Sequence, residues 1–217
     1  MVNIAEEEHS LVWRASERRR LARLNTPDRV QTQLDKMVYR CESVYVPPLL
    51  SLREGRAHCF DGALLAALAL LHAGFEARLI DLCAEDDDDH VLCGFRHRGL
   101  WGAVAKSNFP GLRFREPIFK TPRELVLSYF ENYFNLKGKK SLRRFSTPIR
   151  LPSLNRVPWD VNFSAAEGIV EKLEGAKHTD IVSQASVRRL REVDSRFYAS
   201  QMVGVDLAGA YGGKARR

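Results

Sequence analysis

Apolar positions fall at helical spacing near the start of the chain, at alternating spacing in its middle and at helical spacing again toward its end. Val30, Leu34 and Met37 follow Thr26-Pro27-Asp28, which combines a cap residue, a first-position proline and a first-turn acid. This predicts a helix over 26–40. An earlier helix over 3–24 is predicted from the capping-box pattern Asn3-Ile4-Ala5-Glu6 and from Glu6, Glu7 and Glu8 opposite Arg18, Arg19 and Arg20. Pro47-Pro48 and Gly55 make 43–56 a surface loop.

The segment that follows is apolar on every side. Phe60, Ala63, Leu64, Leu65, Ala66, Ala67, Leu68, Ala69, Leu70 and Leu71 predict a helix buried at the centre of the fold and stopped by Gly74. Three strand-like runs come next, at 76–82, 90–96 and 100–106, with His97-Arg98-Gly99 as the turn between the last two. Thr121-Pro122-Arg123-Glu124 opens a helix with the aromatic face Tyr129, Phe130, Tyr133 and Phe134. Residues 137–150 are basic with no acid and read as a solvated linker, 164–173 and 186–202 read as helices, and 209–217 as a disordered tail.

The predicted class is α+β. A buried central helix packs on a small antiparallel sheet, with helices added at both ends. One domain spans 1–208, with its core at 43–135 and helical additions at 3–41 and 160–203.

Composition narrows the class further. At 217 residues, with 45% hydrophobic and 28% charged positions, the chain suits one well-filled globular domain. Its longest apolar run, 63–71, is too short to span a bilayer, and its start lacks the basic and apolar stretches of a secretory signal. A cytoplasmic protein with no membrane partner is expected, so Cys41, Cys59, Cys83 and Cys93 are read as free thiols. The net charge of +7 allows an anionic partner without specifying one.

Cys59 heads the buried helix, where backbone N–H groups converge on a sulfur at its end. The helix end supplies at most about 2 kcal/mol, so an activated thiol needs a paired base as well. Six histidines are available: His9, His58, His72, His90, His97 and His178. His58 is adjacent in sequence and diverges on a helix, His72 lies at the helix's far end, and His97 is in a turn. His90 opens a strand directly after Asp86-Asp87-Asp88-Asp89, whose charge would favour an imidazolium. A third group must hold the imidazole, and Asn108 offers an amide oxygen, with Ser107 in reserve.

This order resembles the transglutaminase-like superfamily of papain-type cysteine enzymes. The resemblance rests on Gly55-Arg56-Ala57-His58-Cys59-Phe60-Asp61-Gly62-Ala63, on Leu71-His72-Ala73-Gly74-Phe75-Glu76-Ala77-Arg78 and on Asp89-His90-Val91. It implies Cys59 as nucleophile and His90 as base. Most members carry Asp at the third position, where this chain offers Asn108. The resemblance further implies amide or peptide hydrolysis, or acyl transfer to an amine, without a cofactor. The expected substrate is an amide-containing peptide, protein or small molecule.

Two other readings compete. Cys83, His90, Cys93 and His97 have the residue types of a zinc site, but strand alternation points His90 and Cys93 to opposite faces, so no metal is expected. A non-catalytic binding module would use Lys139, Lys140, Arg143 and Arg144 on a protein or nucleic-acid partner, yet no nucleic-acid motif accompanies them. Asp61 reads as a first-turn helix acid rather than a catalytic group.

Overall fold

The computed structural model describes residues 11–42 and 44–212 and is built around the all-apolar helix. Helices α1 (Ala15–Arg23), α2 (Pro27–Lys36) and α3 (Pro48–Glu54) pack against α4 (Cys59–His72), and a six-stranded sheet covers its other side. Phe60 through Leu70 are all buried, so α4 has no solvent face to make polar. Burying a leucine stabilises by roughly 1.5–3 kcal/mol, and four leucines of this helix, Leu64, Leu65, Leu68 and Leu70, are wholly or nearly so. Its stop is Gly74 at φ 83°, as the sequence predicts.

The beginning of the predicted first helix lies outside the described residues. Within them, α1 opens only at Ala15, where the Arg14 amide donates to Glu17 Oε2 at 2.8 Å. The 43–56 stretch carries a buried helix, α3, in place of the expected loop. Pro47 is its N-cap, Pro48 occupies the first turn where no N–H is needed, and Gly55 ends it at φ 67°. The prolines that suggested a loop are the start signal of this helix.

The sheet comprises β3 (Glu76–Ala84), β4 (His90–His97), β5 (Leu100–Val104), β6 (Arg115–Phe119), β7 (Leu142–Ser146) and β8 (His178–Asp180). Its order is β6-β5-β4-β3-β7-β8, antiparallel throughout, whereas β1 (Val38–Tyr39) and β2 (Arg56–Ala57) form a separate parallel pair. The basic stretch 137–150 is therefore no linker. Its Leu142 and Phe145 are buried between the charges and fix β7 beside β3.

Strand alternation gives the sheet two chemically separate faces. Ala77, Leu79, Val91, Cys93 and Phe95 join the core of α4. Ile80, Leu82, Leu92 and Trp101 join a second core with Tyr129, Tyr133 and Leu125 of α5 (Pro122–Leu127) and the turn after it. Helix α6 (Phe163–Glu174) adds Ala166, Ile169 and Leu173 to the α4 core. The predicted helix over 186–202 is two, α7 (Gln184–Val187) and α8 (Ser195–Gln201), because Asp194 Oδ1 accepts from the Arg196 and Phe197 amides and starts the second. Residues 209–212, expected in a disordered tail, pack on the protein with Ala210 buried, and 213–217 lie outside the described residues. No described helix is long and apolar enough to cross a membrane.

One close approach locks α4 to the sheet. A Cβ on Gly62 would lie 2.4 Å from Lys106 Cβ, and that lysine is anchored by Nζ donation to the Leu34 and Met37 carbonyls at 2.9 and 2.5 Å. Because neither side can give, Gly62→Ala should destabilise the fold by about 2 kcal/mol despite alanine's better helix propensity. A thermal melt should fall by roughly 4–8 °C. An unchanged melt would mean that the contact relaxes freely.

Candidate functional site

His58, rather than a Ser, Thr or Asp, caps α4. Its Nδ1 accepts from the Phe60 and Asp61 amides at 3.1 and 3.3 Å, which places the ring proton on Nε2. Burial, together with the charge of Arg40, pulls His58 down to about 4, so the cap is a neutral imidazole. Asp61 closes the turn from the other side. Its carboxylate accepts from the Val46 amide at 3.0 Å and the His58 amide at 3.4 Å and faces Arg40 Nε at 3.4 Å. Burial raises Asp61 to about 7, even though those amides and Arg40 oppose the shift.

Cys59 is the first residue of this capped helix and lines a cavity of about 410 Å³. The same cavity is lined by Tyr39, Arg40, His58, Asp81, Asp88 and Asp89, and by residues 208–211. The sulfur lies 4.0 Å from the Asp89 carbonyl, to which its S–H can donate. Burial pushes the thiol up to about 12, outweighing the amides of Val91 and Phe60, while the charges of Asp61 and Asp81 raise it further. In this arrangement the sulfur carries its proton.

The structure does not bring the expected triad together. His90 pairs with Leu82 and Val91 with Asp81, so the His90 side chain shares the face of Leu92, behind the sheet from Cys59. There its Nε2–H donates to the Leu112 carbonyl at 2.9 Å. Burial, reinforced by the Arg115 charge, lowers His90 to about 4. The imidazolium expected from the neighbouring aspartates is not what burial favours.

Asn108 and Ser107 are elsewhere too. The Asn108 amide donates to the Asp206 carbonyl at 2.7 Å and accepts from the Asp206 amide at 2.9 Å, whereas Ser107 Oγ accepts from the Phe109 amide at 3.0 Å. The run 86–89 is built into the fold. Asp87 accepts from Ser141 Oγ, Asp89 from the Ala84 amide at 2.7 Å, and Tyr133 Oη donates to the Asp88 carbonyl at 2.6 Å.

The helix side of the sheet does hold a histidine and carboxylate pair, which the sequence reading missed. His178 Nε2 lies 3.2 Å from Asp81 Oδ2, and Cys83 Sγ lies 3.1 Å from the same oxygen. Asp81 and Cys83 are two apart on β3 and share a face, and His178 reaches them across the small Ser146 of β7. Donor atoms of the three lie within 4.8 Å of one another, a set of O, S and N ligands that could hold a divalent cation. The signal in the sequence is an aspartate inside the apolar run of β3 from Leu79 to Ala84.

Two of the basic residues of 137–150 are paired. Lys140 pairs with Glu131 at 2.6 Å and Arg143 with Glu85 at 2.7 Å, so these two do not form a free cationic patch. Compared with known proteins, the chain matches no family model and no curated protein.

Proposed function

We propose that this chain is a cysteine-dependent enzyme acting on an amide or related acyl bond, with Cys59 as nucleophile, after the manner of the transglutaminase-like superfamily it resembles. The observation supporting this reading is the position of the sulfur. Cys59 begins a fourteen-residue buried helix, with its thiol at a cavity lined by Asp81, Asp88 and Asp89 and with the Phe60 amide of the helix end and the Val91 amide of β4 beside it. Attack of sulfur on the carbonyl forms the thioester and transfers the thiol proton through the base to the leaving amine; water or a second amine then releases the acyl group. The Cys59 amide is the natural first oxyanion donor.

The base is a cavity group instead of His90. Asp81, Asp88 and Asp89 line the same space, and burial raises Asp88 and Asp89 above the ordinary carboxylate range, which strengthens them as proton acceptors. With the thiol near 12, attack is assisted by proton removal in the same step, without a standing thiolate and imidazolium pair.

The test is acylation by an activated ester, p-nitrophenyl acetate, followed by peptide mass spectrometry. The acetyl group should sit on Cys59, be absent in Cys59→Ala, survive in His90→Gln, and leave faster when an amine is added if transfer is the reaction. Modification confined to the exposed Cys41, or turnover unchanged in Cys59→Ala, would sink the assignment.

A further inference from the structure

Residues 208–211 form one wall of the Cys59 cavity, and the protein holds the segment 206–211 largely by its backbone. The Asn108 side chain makes both its hydrogen bonds to the peptide groups of Asp206, and the Tyr211 amide bonds to the Asp88 carboxylate. Between those clamps the chain makes a single 3-10 turn, Leu207–Gly209. Ala208, Gly209, Ala210 and Tyr211 line the cavity, Tyr211 with 54% of its surface still exposed, whereas Leu207, also 54% exposed, lies outside it. Gly209 admits no side chain: a Cβ there would meet Cys41 Sγ at 2.8 Å and the Tyr39 ring at 2.9 Å.

A seat that grips peptide groups at two points and excludes a side chain between them selects a backbone shape and small residues at its centre. We propose that this seat is the peptide-binding subsite of the Cys59 centre, that its ligand is a peptide segment with glycine over Tyr39 and alanine on either side, and that residues 206–211 occupy it as a tethered stand-in. The proposal rests on Cys59 being the reactive group and gives that centre its substrate class. Asn108 is then a peptide clamp and a positioning residue. A tethered occupant is present at high effective concentration, so it lowers the apparent affinity for any peptide added in solution.

The test uses the full chain. Gly209→Leu should expel the segment, because a leucine cannot fit against Tyr39 and Cys41. A labelled peptide of sequence Asp-Leu-Ala-Gly-Ala-Tyr should then bind Gly209→Leu at least about tenfold more tightly than the wild type, by relief of that competition. It should also slow iodoacetamide labelling of Cys59, which itself should be faster in Gly209→Leu than in the wild type. The same peptide with Leu at the Gly position should not bind, and adding Asn108→Ala should weaken binding of the parent peptide.

Should Gly209→Leu fold poorly, Asn108→Ala in the otherwise native chain gives a second readout, since loosening one clamp should speed Cys59 labelling. A folded Gly209→Leu that binds the glycine and leucine peptides alike, or neither, overturns the subsite. The failures are separable: peptide binding with no acylation of Cys59 removes the enzyme reading and leaves the seat, whereas acylation without peptide binding does the reverse.

Discussion

Replacing Asp61 by alanine should cost about 3–5 kcal/mol, the loss typical when one partner of a buried ion pair is removed. The carboxylate is fully buried and holds three things together: the Val46 amide ahead of α3, the His58 amide at the start of α4, and Arg40 after β1. Alanine leaves both amides without that acceptor and takes from Arg40 its inner counter-charge. Arg40 keeps its pair with Glu54, at 2.6 Å. Asp61→Asn retains an oxygen for one amide and should recover most of the loss, more so below pH 7, where the native carboxyl is itself protonated. Urea unfolding of the three proteins checks this. A midpoint for Asp61→Ala close to that of the wild type would show that the junction is held by other contacts.

Acidification should produce the second large effect, through His90. Its folded pKa, about 4, lies below the ordinary 6.5, so the unfolded chain takes up the proton first. The stability this neutral histidine contributes is complete above pH 6.5 and is lost as pH falls toward 4. A gap of this size corresponds to about 3 kcal/mol. The raised carboxyls Asp61, Asp87, Asp88 and Asp89 act in the opposite sense, since stability falls as they ionise with rising pH. The comparison is therefore made against His90→Gln, whose side-chain amide can still donate to the Leu112 carbonyl and does not titrate. Unfolding free energies at pH 7 and pH 4.5 should diverge between wild type and His90→Gln on the acid side. Parallel curves would mean that His90 is protonated in the folded protein.

Much of the fold was legible because it was written in periodicities. The all-apolar run of α4, its glycine stop and the alternating runs of β3 to β5 each have only one economical burial, and the structure adopts it. Strands β6, β7 and β8 were missed because each is short and two carry charged or polar residues at most positions; what fixes them is pairing with strands distant in sequence. The site was half legible. A cysteine at a helix start is a local pattern, so the Cys59 sulfur could be placed at a helix end from sequence, and the structure adds the cavity there. Which face a strand's first residue takes depends on register, and register is set by the partner strand and the turn. That is why His90 was sought beside the sulfur and is found behind the sheet, and why Asp81 and His178 went unread.

The alternation of β4 also constrains how this centre can change by descent. Val91, adjacent to His90, points to the α4 side, and its amide already bonds the Cys59 sulfur. A lineage could therefore gain an imidazole on the sulfur's side through replacement at this one position. Bringing His90 itself across would require an insertion or deletion in the 86–89 turn, and the same event would turn Val91, Cys93 and Phe95 out of the core together. Substitution can explore chemistry at this strand, whereas a change of length would dismantle the packing that supports it.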